Sequence, residues 1–494
     1  MVLRVCSELK TNIMRGFLNT LYVVCALLLV AGFGANQLQA QTLAETKSYY
    51  EKGEYAKALP GLQRLVENNP KNQTYALWYG KALNNLGQYE KAVHPLRVAA
   101  KKAGEAQFLY AQALYFTYDF DKAKDVMEEY MSYLKRTKRQ MSEAESFDKK
   151  IVLAKSMLDR VARVEVIDSI VLPKDLFLTP YHSIASDNGE VCWTGAIFPD
   201  QSKIDTSAFA GVTSYTNGLG NRRIVALRDE KHNMALYGSS VVGSRWSTPD
   251  PLDKLINLTG TENYPFLKQD GSTLLFSRKS EDGIGGYDLY MTRRNAQGDF
   301  LEPTMLGMPF NSPYNDYMLA YDENNGIGYF TSDRFQSKGN VCVYTFIIDE
   351  DNTLLPSDDV EEKTAWASLK SIKVTQDKNS DYSDIKRRVG RKDKSNDKMS
   401  DAILLSVNGK LYTDWSDFTS SKARDLYRVI LDKRYDLSKL NATLETLRRA
   451  YRDASSSEKS ALKGKILNLE ENQKSLRQMI NDMVQKCIRQ ELTK

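Results

Sequence analysis

The residues in this chain that could do chemistry are few and far apart. His182 and His232 are isolated and read as structural or exposed side chains rather than catalytic ones. The run Gly283-Ile284-Gly285-Gly286 is glycine-rich enough to suggest a phosphate cradle. It sits before a strand-like run, however, and not between a strand and a helix, where helix N–H groups would meet the anion. Asp282, Asp288, Asp322 and Glu323 suggest calcium, but they lack the Asp-x-Asp-x-Asp-Gly rhythm that wraps a loop around the ion. The chain has no Gly-x-Ser-x-Gly elbow to present a serine nucleophile. Asp and Glu pairs are too common to mark a glycosidase without geometry. Cys6 and Cys25 lie near the N-terminus, Cys192 and Cys342 in strand-like runs (VCWTG, VCVYTF), and Cys487 near the end. Once the first two are removed with a signal, three widely spaced cysteines make neither a disulfide framework nor a zinc site. The expectation is a protein with no catalytic residues, no metal and no cofactor.

The elements that surround these residues are more informative. The chain has 494 residues, 42% of them hydrophobic and 27% charged, which predicts about three domains with buried cores. Lys+Arg 68 against Asp+Glu 63 is a weak bias, unlike the concentrated basic field of a nucleic-acid binder. Residues 1–40 read as a secretory signal. Lys10 and Arg15 form the basic start, 21–33 the apolar stretch, and cleavage falls near Ala40/Gln41. Met14 offers a more compact start for the same signal.

Residues 41–162 carry a helical repeat. Gly53, Tyr55, Ala58 and Leu62 recur 34 residues later as Gly87, Tyr89, Ala92 and Leu96. A shorter third copy supplies Phe120, Ala123 and Met127, and an amphipathic helix over 142–161 would cap the stack. The alanines let antiparallel helices approach, and the aromatic three positions earlier wedges between them. This pattern resembles the tetratricopeptide repeat, which implies an α-solenoid whose groove holds a peptide or protein partner.

Residues 163–355 change to short alternating strands with tight turns. Trp246, Pro249, Leu252, Ile256 and Asn257 match Phe300, Pro303, Leu306, Phe310 and Asn311 at a constant offset of 54. The strands 274–277 and 288–291 match 328–331 and 342–345. Tyr264-Pro265, Asp270-Gly271, Phe276 and Gly285-Gly286-Tyr287-Asp288 resemble the repeat of TolB-like β-propellers in Bacteroidetes envelope proteins. That resemblance implies four or five blades and a binding platform.

Residues 356–400 read as a charged linker with a basic run at 386–394, although AWASLKSIKVTQ could add a strand. The basic run could also contact anionic lipid, nucleic acid or an acidic partner; export disfavours nucleic acid. Over 401–494 a hairpin about Asn408-Gly409 precedes two helices with near-heptad apolar spacing, read as an antiparallel coiled-coil hairpin able to dock or self-associate. Ser455 with Glu458 fits a cap on the second.

The expected fold is therefore multidomain α and β. The expected function is that of an exported, non-enzymatic scaffold of the bacterial cell envelope, in the periplasm or at the outer membrane. Its partners would be envelope or secretion proteins and not nucleic acid, and it would not be an integral membrane protein once the signal is cleaved. The pairing of repeat and propeller is similar to periplasmic components of type IX secretion and gliding machinery. The alternatives are a glycan- or peptide-processing enzyme, or a glycan-binding module, acting through the propeller face.

Overall fold

The computed structural model describes residues 42–102, 104–184, 186–193, 212–228, 233–243, 245–349, 351, 353–377, 380–383, 385, 405–407, 410–412, 415, 418–453 and 456–492. The expectations for the secretory signal, His232, the basic run 386–394, the Asn408-Gly409 turn and the Ser455 cap fall outside these residues. The chain divides into two compact units, Met1–Glu145 and Ser146–Lys494.

The first unit holds three helix pairs: α1 (Leu43–Glu51) with α2 (Tyr55–Asn68), α3 (Gln73–Asn85) with α4 (Tyr89–Ala99), and α5 (Glu105–Phe116) with α6 (Phe120–Arg136). Thr42 and Glu45 form a reciprocal capping box at α1, and Asn72 Oδ1 accepts the Thr74 and Tyr75 N–H groups at α3. Each pair turns on one residue in the left-handed region: Gly53 (φ 74°), Gly87 (φ 68°) and, in the third copy, Tyr118 (φ 66°). The next N–H then reaches back over the turn, from Gln88 to Leu83 O at 2.9 Å and from Asp119 to Leu114 O at 3.0 Å. The third copy thus keeps the turn without its glycine, at a backbone cost of about 1–2 kcal/mol. Ala58, Ala92 and Ala123 are fully buried in the seams. A Cβ at Gly80 would stand 2.4 Å from Leu96 Cδ2, which is how closely α3 and α4 approach.

Helix α7 (Ser142–Asp159) leads to three antiparallel sheets. The first runs β2 (Glu190–Trp193), β3 (Thr213–Thr216), β4 (Arg222–Arg228), β5 (Met234–Val242), β6 (Arg245–Trp246), with β7 (Asp250–Pro251) also on β5. The second is β8 (Asn263–Leu267), β9 (Thr273–Lys279), β10 (Tyr287–Arg293), β11 (Thr304–Met305). The third is β12 (Asp316–Asp322), β13 (Ile327–Ser332), β14 (Asn340–Ile347), completed by β1 (Val166–Pro173) from the start of the region. Within 163–355 the described residues form these three sheets and no closed propeller.

The repeat at offset 54 has a physical basis. Asn257 accepts from Leu236 N and donates to the Leu236 and Leu252 carbonyls, and Asn311 makes the same three bonds with Leu289 and Leu306. Each asparagine ties the link between two sheets to the strand before it.

Residues 360–376 are not extended. Asp359 caps helix α8 (Val360–Ser368) by accepting Glu361 N, and Glu361 and Glu362 suit its first turn. A 3-10 turn over Ile372–Thr375 follows, where Thr375 Oγ1 accepts Val166 N. Leu369 joins the sheet core and Tyr382 packs on it, so this part of 356–400 is folded against the sheets. At the C-terminus β15 (Leu405–Val407) pairs with β16 (Lys410–Tyr412), and α9 (Ser421–Asp453) lies antiparallel to α10 (Ser456–Leu492). The buried Glu491 fastens the two ends together, accepting the Thr419 N–H and hydroxyl, Ser420 N and the Tyr412 hydroxyl.

Candidate functional site

In the first unit α1, α3 and α5 lie side by side, and their side chains meet in one face centred on Trp78. Lys47 Nζ from α1 stands 4.6 Å from the Trp78 ring centroid and Lys81 Nζ 5.0 Å from it. Tyr50 meets the ring edge-on at 5.2 Å, and its hydroxyl accepts a 2.9 Å hydrogen bond from Asn85. Lys81 reaches α5 through a 2.6 Å ion pair with Glu105, and Asn84 donates to Leu109 O. The face offers broad aromatic area beside ammonium and amide groups. That combination suits contact with a polypeptide's side chains and backbone.

The repeat residues that the sequence singles out stand behind this face and position it. Gly53 and Gly87 make the turns, while Ala58, Ala92 and Ala123 line the seams. Tyr55 packs on Tyr50 at 4.9 Å, Tyr89 stacks on Phe116 at 4.0 Å, and Phe120 is buried against Tyr115. Lys47, Trp78, Lys81 and Glu105 carry no such signal, because partners 31 and 24 residues apart become neighbours only once the helices stack.

In the sheet region the sequence-marked residues are also brought together, at turns and strand ends. Asp270 makes the β8–β9 turn, with Oδ1 accepting Ser272 N and Thr273 N and Oδ2 accepting the Thr273 hydroxyl. Partial burial acts against it, but those hydrogen bonds prevail and hold its carboxyl below the usual range. Gly271 follows with φ 66°. Pro265 and Phe276 are buried. Tyr264 (β8), Tyr287 (β10) and Tyr317 (β12) form a triangle with centroids 5.7–5.9 Å apart, and Lys174 Nζ lies 4.0 Å from the Tyr317 ring centroid.

Gly285 and Gly286 serve close approach and not phosphate binding. A Cβ at Gly285 would fall 1.9 Å from Tyr314 O, and one at Gly286 2.1 Å from Asn315 Oδ1. Gly285→Ala is expected to destabilise the second unit by roughly 1–3 kcal/mol or more, read from its chemical denaturation midpoint. A change within error would show that the two loops separate freely.

Asp288 is fully buried and accepts Gly285 N. Asp322 is engaged by Asn188 and Asn325, Glu323 accepts Gln269 N, and Asp282 is exposed. These carboxylates do not converge, and among the described residues no cluster of three or more His, Cys, Asp or Glu could hold a metal. Cys192 and Cys342 lie in β2 and β14, and Cys342 is buried. His182 lies in a 3-10 turn.

Two buried ion pairs carry no sequence mark. Glu262, just before β8, pairs with Arg278 at 3.1 Å, and Asp316, opening β12, pairs with Arg334 at 2.7 Å. The two arginines donate to equivalent carbonyls, Leu255 and Ile256 in one case and Pro309 and Phe310 in the other. The carboxylates are 54 residues apart, so comparing the two repeats acid by acid finds them.

Residues 51–130 match the family model described as anaphase-promoting complex, cyclosome, subunit 3. With the three helix pairs, this defines the first unit as a tetratricopeptide-like repeat region, a class associated with protein–protein interaction. No curated protein matches the chain. Among the described residues, no helix is long and apolar enough to cross a membrane.

Proposed function

We propose that this chain is an exported, non-enzymatic scaffold of the bacterial cell envelope that holds protein partners, with the α1–α3–α5 face as its main contact. The observation that carries the reading is that face: an aromatic centre flanked by two ammonium groups on a tetratricopeptide-like array. The middle region is read as a TolB-like propeller serving as a second platform, supported by the offset of 54 that recurs in asparagine anchors and ion pairs. Holding one partner on each platform would gain avidity by linkage. The C-terminal helical hairpin is read as a docking or self-association element.

The test is a pull-down from native envelope with the full chain and its Trp78→Ala/Lys81→Glu variant. Specific partners retained by the wild type, and reduced roughly tenfold or more by the variant, are expected if the face is a binding hot spot. Equal recovery by both would sink the reading. So would hydrolysis of envelope glycans or peptides by the purified chain.

A further inference from the structure

The three sheets repeat one arrangement with one part missing. In the second and third sheets the acidic residue at the start of the first strand faces an arginine at the end of the second: Glu262 with Arg278, and Asp316 with Arg334. In the first sheet Arg228 ends β4 at the same place, but the residues that lead into β3, Ala210, Gly211 and Val212, carry no carboxylate. Arg228 therefore keeps the cation of the motif without its carboxylate. It makes no hydrogen bond or ion pair among the described residues, and its Nε is buried without a partner.

The surroundings of Arg228 complete a site. Arg228 pairs with Met234 on β5, whose N–H bonds Gly260 O, placing it beside the turn that leads into Tyr264. Burial pushes the Tyr264 and Tyr287 hydroxyls up, and Arg228 is the positive charge that opposes this at both. Among the described residues neither hydroxyl makes a hydrogen bond, which leaves each able to donate. Tyr264 is held at φ 56°, an uncommon conformation for an aromatic residue that costs on the order of 1–3 kcal/mol and is enriched at ligand sites. A buried guanidinium nitrogen without a partner is costly unless an anion reaches it. The planar fork of arginine matches carboxylate and phosphate alike.

We propose that this end of the sheet region binds the oxyanion of a ligand, a carboxylate or a phosphate, on Arg228 with the Tyr264 and Tyr287 hydroxyls. The anion takes the place that Glu262 and Asp316 hold in the other two sheets. This site is independent of the helical-repeat face.

The test is calorimetric titration of the full chain with N-acetylglycine and, separately, inorganic phosphate, at fixed ionic strength against a chloride control. Binding of either probe above the control supports the site, and which probe binds identifies the anion. Arg228→Gln is expected to weaken it roughly ten- to hundredfold, the worth of a charge-assisted hydrogen bond. No binding above chloride, or unchanged affinity in Arg228→Gln, overturns the proposal.

Discussion

Replacing Arg334 by methionine is expected to lower the stability of the second unit by about 3–5 kcal/mol. The guanidinium is fully buried and satisfied on every side: Nε by Ser332, one terminal nitrogen by Ala367 O, the other by Pro309 O, Phe310 O and Asp316. Its face also lies 5.7 Å from the Phe330 centroid and 5.8 Å from that of Tyr344. Methionine fills much of the volume but leaves the buried Asp316 carboxyl without its guanidinium, with the Ser312 and Ser332 hydroxyls as its remaining side-chain partners. Removing one partner of such a pair costs far more than removing both. The double variant Arg334→Met/Asp316→Asn should therefore recover part of the loss. Urea denaturation of the full chain checks both statements. A loss below about 1 kcal/mol in the single variant would mean that water reaches the pair.

The second large effect is on pH dependence. Burial, reinforced by the nearby charge of Asp316, pushes the Asp288 carboxyl up to about 8 against the hydrogen bond from Gly285. An unfolded aspartate releases its proton near about pH 4. Between these values the folded chain holds one proton more than the unfolded chain. The contribution is complete below about pH 4 and is lost as pH rises toward 8, at up to about 1.4 kcal/mol per pH unit. Asp288→Asn carries no titrating proton, so its stability should be flatter across pH 5–8 and exceed that of the wild type at pH 8. Urea midpoints at several pH values measure this. Equal slopes for the two proteins would show that Asp288 is ionised in the folded state at neutral pH.

The helical repeat is the most legible part of this chain, because its packing demands the same small residue at each seam. Ala58, Ala92 and Ala123 are all fully buried for that reason. The turn of the third copy is not legible, since a tyrosine gives no warning that it will adopt φ 66°. In the sheet region the period of 54 is readable through Asn257 and Asn311, whose amides repeat the same bonds. The arginine pair is harder to see, because Arg278 and Arg334 are not at that offset although their carboxylates are. Residues 365–376 suggest a strand by the Ile, Val and Thr near their end, yet the first four finish the helix that Asp359 caps and Ile372–Thr375 form a 3-10 turn. The Trp78 face stays hidden for a different reason. Its members are ordinary helix-surface residues until three helices bring them together.

Site-specific photocrosslinking in native envelope probes that face most directly. A photoreactive residue at Asn85, exposed on α3 and bonded to Tyr50, is compared with one at Leu219, 83% exposed in the β3–β4 turn. Discrete protein adducts at position 85 with few at 219 are the expected result. The same weak, unspecific pattern at both positions would contradict a scaffold that holds its partner on the helical-repeat face.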